Sequence, residues 1–536
     1  MREIITLQLG QQSNYLGTHF WNTQESYFTY GADEESPINH DIHFRPGIGA
    51  DGTETFMPRT VIYDLKGGFG TLRKINALYD IEEDAAPTGL WPSQPVVQRQ
   101  PPIGASAYQE SLDTGKPPPE LTTNTVRYWS DFNRVFFHPR SLIQLSEYDL
   151  NSTILPFEKW HMGEELFASL DKEHDLLDRD LRPFAEEADQ MQGIQIFTGI
   201  DDAWGGFAAK YLERLRDEYG KTPLWVFGVQ EPLGGLPREK RLLKLTNKAR
   251  SLTEFNSQAS LVVPLALPEI PLPSTVQLDP SSSWHVSALL SAAVESTTLY
   301  TRLKTSDRVN SSNFGTMTDL LNVFGKQTIA NLEMSLVETP KSHQNGTNGS
   351  SNGVTGRGEH VLSMYENGID EESESGSQKG ATSLDIDLSS PHDLNLDTSR
   401  GRHRRRHIFS QIQTDRKLED PDETKNGVES HEQNLYGMRR RPKFHNYRSQ
   451  VAFPIIDSFP KIFRDNNGNP LREHASVRTA LATDSTVMDK VKALRSTVVR
   501  SIGLEDREMI GNDLAEIADG YKEGWSSGSD DDDDDE

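Results

Sequence analysis

Ile4, Ile5, Leu7 and Leu9 make a short apolar run of strand-forming residues, and Gly10 stops it. Polar Gln11, Gln12, Ser13 and Asn14 follow, and Leu16, Phe20 and Trp21 then recur at helical spacing. The chain therefore opens as buried strand, tight turn and helix. Such a unit aims backbone N–H groups at an anion, although many strand–turn–helix units bind nothing. Further apolar runs predict strands over 60–63, 194–198, 224–229 and 261–267. Amphipathic periodicity predicts helices over 156–174, 183–190, 207–219, 286–303, 317–324, 486–502 and 512–523. Strands alternating with helices predict an α/β fold, its mostly parallel sheet covered by helices on both faces.

The pattern is interrupted twice. Residues 81–124 are rich in Pro, Gly and Gln and read as an insertion in the first domain, 1–339. Residues 340–443 are rich in Gly, Ser, Asn and charge with no sustained period, and read as a disordered linker. A smaller C-terminal α+β region is expected over 444–525, with VAFPIIDSFPKIF as its buried anchor. An acidic tail, 526–536, closes the chain.

Composition narrows the function. Among 536 residues the net charge is −26 and apolar residues make up 35%, so nucleic acid is not an expected partner of the chain as a whole. The absence of cysteine excludes disulfides, thiolate metal sites and thiol catalysis. Neither a secretory nor a transit signal is visible, and no apolar run is long enough to span a bilayer, which predicts a cytoplasmic protein. HExxH, GxSxG and Walker A motifs are missing. The basic runs GRHRRRH (401–407) and MRRRPK (438–443) read either as solvated linker or as a nucleic-acid or lipid contact. His403 and His407 stand four apart with arginines between them, which is a poor metal pair. Trp160, Trp204 and Trp284 read as packing anchors, and His161 and His285 as structural.

Several segments closely resemble tubulin, in order: the opening MREI, GQ and FW; PRTVIYDLKGGFGTLR, with Asp64 and Leu65 at matching positions; and WHMGEELFASLDKEHD. The likeness continues through QIFTGIDDAWGGFAAKYLERLRDEYGK, HVSALLSAAVESTTLYTRL, MTDLLNVF and DLAEIADGYKEGW before the acidic tail. The tubulin-like opening, long insertions and an altered loop together are similar to the Misato family, in particular its fungal members. That resemblance implies a tubulin-like domain and a role in mitochondrial distribution and morphology, partitioning of mitochondria and inheritance of mitochondrial DNA. It also implies protein partners at the cytosolic face of the mitochondrion, with self-association a further option.

The resemblance also shows where nucleotide chemistry departs. Tubulin's phosphate loop reads GGGTGSG, so backbone N–H groups reach phosphate oxygens unobstructed. The matching residues here are Ile200, Asp201, Asp202, Ala203, Trp204, Gly205 and Gly206. Two carboxylates stand where phosphate would lie, at a cost on the order of a few kcal/mol per like-charge contact. Asp201, Asp202 and Asp64 together could hold Mg²⁺, whereas either of the adjacent pair could simply cap the following helix, the reading we favour. Tubulin-like hydrolysis also needs an acidic residue from the next subunit, and the matching position is Asn322, with Asp319 as the alternative in a shifted register. The expectation is a non-catalytic protein with no metal site and a degenerate nucleotide site of Gly10, Gln11, Gln12, Asp64, Gly205 and Gly206, for which GTP is the candidate cofactor. A self-assembling GTPase and a nucleic-acid scaffold using the Arg-rich linker are the competing readings.

Overall fold

Residues whose side chains are buried on both faces dominate the first half of the chain, and that is what makes its strands read as continuous apolar runs. The computed structural model describes residues 2–29, 35–48, 52, 54–72, 103–268, 271–304, 312–337, 384–389, 406–417, 443–501 and 503–522. Strand β1 (Ile4–Leu9) passes through Gly10 into α1 (Gln11–Glu25), and the antiparallel pair β2 (Phe44–Ile48) and β3 (Glu54–Pro58) precedes β4 (Thr60–Lys66). Next come α2 (Ala107–Thr114), β5 (Leu142–Asp149), α3 (Trp160–His174) and α4 (Arg182–Glu186). Strict alternation follows in β6 (Gly193–Gly199), α5 (Ala203–Glu218), β7 (Leu224–Val229), α6 (Arg238–Gln258) and β8 (Leu261–Leu265).

These strands form one six-stranded parallel sheet in the order β5-β4-β1-β6-β7-β8. Ile5, Leu7, Leu9, Ile194 and Ile196 face the core shared with α3, α5 and α6. Ile4, Phe197 and Phe227 face the opposite core, shared with α1 and with α7 (Ser283–Thr298). The α/β architecture expected from the hydropathy pattern is therefore present, with both faces covered.

The chain continues through α8 (Phe314–Leu321), β9 (Asn331–Leu336), β10 (Ile386–Asp387), β11 (Ile408–Arg416) and β12 (Lys443–Ser449). It ends with β13 (Phe453–Pro454), β14 (His474–Ala475), β15 (Val477–Asp484), α9 (Thr486–Val498) and α10 (Leu504–Asp519). A second sheet has the order β10-β9-β15-β11-β12. Phe453, Phe459, Ile462 and Phe463 of the VAFPIIDSFPKIF stretch are buried in the core that also contains α7.

Three departures from the sequence reading have physical causes. Residues 384–389 and 406–417 lie inside the stretch read as a linker yet supply β10 and β11, and β11 pairs along β15 and β12. Strand β11 hides from hydropathy because it buries Ser410, Gln411, Thr414 and Arg416 beside Ile408 and Ile412. The C-terminal region is accordingly no separate unit, for β15 sits between β9 and β11, and α9 and α10 pack on α6. Helix α6 escapes the periodicity search because Asn247, Lys248 and Ser251 are among its buried residues. Residues 81–102 of the Pro-rich insertion, most of the 340–443 stretch and the acidic tail lie outside the described residues.

Candidate functional site

Open parallel sheets place their ligand crevice at the carboxyl ends of the strands, and here the ends of β1, β4, β6 and β7 bring the expected residues together. Gly10, at φ 86°, makes the turn into α1, and no side chain caps that helix. The Trp204 indole lies directly against Gly10, since a Cβ on Gly10 would stand 2.4 Å from its Nε1. Trp204 is itself packed edge-on against Phe157 and Phe207.

Gln11 and Gln12 reach past this turn to protein groups. Gln11 Nε2 donates to the Gly68 carbonyl at 2.9 Å, and Gln12 Nε2 donates to the Glu231 carboxylate. Asp64, at the end of β4, is fully buried and accepts from Asn14 Nδ2 at 2.8 Å, Trp129 Nε1 at 3.3 Å and the Leu65 N–H at 2.8 Å. Burial outweighs those donors and pushes its carboxyl up to about 7. The 67–70 turn closes over it, because a Cβ on Gly68 would lie 2.3 Å from the Asp64 Cγ.

The β6–α5 turn is neutralised from within. Asp201 is buried and pairs with Lys244 Nζ at 3.2 Å, while Lys244 also holds Glu231 at 2.7 Å. The Glu231 N–H donates to the same Asp201 oxygen at 3.1 Å, and Asn247 Nδ2 donates to the Asp201 carbonyl at 3.0 Å. Burial lowers the Lys244 ammonium pKa, but Asp201 and Glu231 outweigh it and hold that pKa above the ordinary value. Asp202 caps α5 by accepting from the Trp204 N–H at 2.9 Å, and burial together with the Asp201 charge raises its carboxyl to about 7. Among the described residues no group of three or more His, Cys, Asp or Glu is placed to hold a metal ion.

Gly205 and Gly206 fall in the first turn of α5, just after the Asp202 cap. They lie inside α5, where a Cβ on Gly205 would meet Ser251 Oγ at 2.1 Å and one on Gly206 the Trp160 carbonyl at 1.9 Å. Both positions therefore serve close packing of α5 against α6 and α3. The protein's own groups occupy much of this turn: Asp202 accepts from the Trp204 N–H, Trp204 lies against Gly10, and Lys244 is committed to two carboxylates.

Asn322 and Asp319 belong to the opposite end of the sheet. Phe314 of α8 stacks on Trp225 at 4.5 Å, near the start of β7, and abuts Gly193 at the start of β6. Asn322 ends α8 and accepts from the Gln327 N–H at 2.8 Å, and Asp319 is exposed. Either could serve these carboxyl ends only from a neighbouring molecule.

Trp160 lies under the Arg250 guanidinium, Trp284 donates to the Ser458 carbonyl at 3.2 Å, and His285 Nδ1 accepts from the Asp279 N–H at 3.0 Å. His161 is exposed. Arg406, the last arginine of the first basic run, forms ion pairs with Glu333 and Asp484, while His403 and most of both runs lie outside the described residues. The sequence reading missed Asn14, Trp129, Glu231, Lys244 and Asn247. The last two sit on α6, and the only local signal for Asn14 was its place in the polar turn.

Comparisons with known proteins give the family of the chain. Residues 2–114 match the Misato segment II tubulin-like domain and residues 118–303 the tubulin domain. Protein dml-1 of Neurospora crassa is 54% identical over 555 residues, covering 100% of both chains, and protein DML1 of Gibberella zeae is 47% identical over 538 residues with the same coverage. Protein dml1 of Schizosaccharomyces pombe is 35% identical over 322 residues, 56% of this chain and 66% of its own length. Matched end to end by such relatives and carrying the tubulin-type sheet with its altered loop, the chain belongs to the Misato/DML1 family of tubulin-like proteins.

Proposed function

We propose that this chain is a non-catalytic tubulin-type scaffold that acts through protein contacts in the partitioning of mitochondria and the inheritance of mitochondrial DNA. The single observation behind the non-catalytic half is the Asp201–Lys244–Glu231 arrangement, with Trp204 over Gly10. Electrostatic stabilisation of a transferring phosphoryl group needs cations free to face it, and here Lys244 is spent on two carboxylates of the chain itself. The mitochondrial half rests on family membership, with action at the cytosolic face of the organelle. No helix among the described residues is long and apolar enough to cross a membrane.

Isothermal titration of the purified chain with GTP and Mg²⁺ tests the first half. The expected result is no saturable heat; tight binding by the wild type overturns it, and turnover rising with protein concentration would favour a self-assembling GTPase. Depletion in a fungal cell, followed by imaging of the mitochondrial network and counting of mitochondrial DNA nucleoids, tests the second half. Unchanged segregation would sink it.

A further inference from the structure

The connection between β5 and α3 places apolar side chains in water. Ile154 is 94% exposed and Leu155 51%, and Pro156 beside them is exposed as well. Among the described residues, no other two neighbouring large apolar side chains are both exposed. Single exposed apolar residues are ordinary, whereas adjacent ones at a protruding tip mark a contact surface.

The tip is held in place from both sides. Asn151 takes the left-handed conformation at φ 58°, the Ser152 N–H donates to the Asp149 carbonyl at 3.3 Å, and the Leu155 N–H donates to Ser152 Oγ at 3.1 Å. Behind it, Phe157 packs on Tyr148 at 4.7 Å and edge-on against Trp204 at 5.3 Å. With both ends fixed, Ile154 and Leu155 stay outward although their burial would be favourable.

Cations stand beside the tip. Helix α6 begins next to it, since Lys240 Nζ pairs with Glu158 at 3.1 Å and Asn247 Nδ2 donates to the Glu158 carbonyl at 2.7 Å. Residues 150–161 and 237–241 together carry Lys159, Arg238, Lys240 and Arg241 against Glu158 and Glu239, a net charge of +2 in a chain whose total is −26. All four cations are exposed. The carboxylates behind them, Asp149 and Glu231, are held by Lys66 at 3.0 Å and by Lys244 at 2.7 Å.

We propose that this end of the first sheet docks on an anionic lipid bilayer. Ile154 and Leu155 enter the headgroup region, and Lys159, Arg238, Lys240 and Arg241 face lipid phosphates. A bilayer accepts a convex tip without a shape-matched pocket, and two side chains fall far short of the roughly 1,200 Å² that a stable protein interface buries. Binding therefore rises with inserted apolar area and anionic lipid content and falls with salt. This deepens the reading of action at the cytosolic face of the mitochondrion, but vesicle binding is measured without the organelle, so either can fail alone.

Flotation of the full chain with vesicles of phosphatidylcholine, alone or with added phosphatidylserine, tests this. The wild type should float with the phosphatidylserine vesicles at low salt and not with phosphatidylcholine alone. The double variant Ile154→Ser, Leu155→Ser should stay unbound, and Lys159→Glu with Arg238→Glu should lose binding to the charged vesicles. These side chains are exposed, so each variant should keep the wild-type unfolding midpoint. Because the chain lacks cysteine, Thr153→Cys gives a single position for an environment-sensitive fluorophore, whose emission should shift to the blue when phosphatidylserine vesicles are added. No flotation of the wild type, equal flotation of the Ile154→Ser, Leu155→Ser variant, or an unshifted fluorophore would each overturn the proposal. A dimer that this variant disperses, without flotation, would also overturn it and assign the tip to a second copy of the chain.

Discussion

Replacing Glu295 by Gln should be among the most damaging single changes in the chain. Glu295 on α7, Arg302 just beyond its end and Arg416 on β11 are all completely buried. One Glu295 oxygen accepts from Arg302 at 2.5 Å, Tyr27 Oη at 2.9 Å and Gln24 Nε2 at 3.3 Å. The other accepts from Arg416, which also donates to Tyr27 Oη at 2.7 Å and to the Val451 and Ala452 carbonyls. This cluster joins the end of α1, α7 and the second sheet around a single negative charge. Burial by itself would raise the Glu295 carboxyl, but Arg416 and Arg302 outweigh it and hold it below its usual range.

Glu295→Gln leaves two buried guanidiniums with no counter-charge, a class of change that costs about 3–5 kcal/mol. Against a total stability on the order of 5–15 kcal/mol, that leaves the fold marginal. Arg302→Met should cost less, because it leaves a one-to-one Glu295–Arg416 pair. Urea unfolding followed by tryptophan fluorescence gives the midpoints, with the order wild type, Arg302→Met, Glu295→Gln from most to least stable. A loss below about 1 kcal/mol for Glu295→Gln, or the reverse order, would refute the reasoning, since solvated or otherwise paired guanidiniums would not need the carboxylate. The depressed Glu295 pKa contributes stability above the unfolded value, and that stability is lost as pH falls below about 4.

Two further changes test the β6–α5 region. Asp202, raised to about 7 when folded, binds its proton more tightly in the native state, so its effect on stability is lost as pH rises from about 4 to about 7. Asp202→Asn keeps a capping oxygen for the Trp204 N–H and should flatten that decline, adding on the order of 4 kcal/mol above pH 7; a Tm–pH curve parallel to wild type contradicts this. Gly206→Ala places a methyl 1.9 Å from the Trp160 carbonyl, and should destabilise by about 1–3 kcal/mol despite the better helix propensity of alanine. An unchanged or higher unfolding midpoint would show that α3 and α5 are not in close contact there.

The strands of the first sheet were legible in the sequence because each is buried on both faces. Leu224–Val229 is one apolar run, and the structure makes it β7 with the same limits. The two carboxylates at the β6–α5 turn were legible too, since Asp201 and Asp202 stand where the tubulin loop has glycines however the chain folds. What the sequence could not settle was how those charges are tolerated. Lys244 stands 43 residues from Asp201, on a helix whose buried face carries Asn247, Lys248 and Ser251, and periodicity records apolar burial alone. The same blindness hid β11, whose Arg416 is buried only because Glu295, 121 residues earlier, lies beside it. Local pattern decides which segments are strands and helices. Only tertiary packing decides which polar side chains can leave water, because that depends on a partner the neighbouring sequence does not contain.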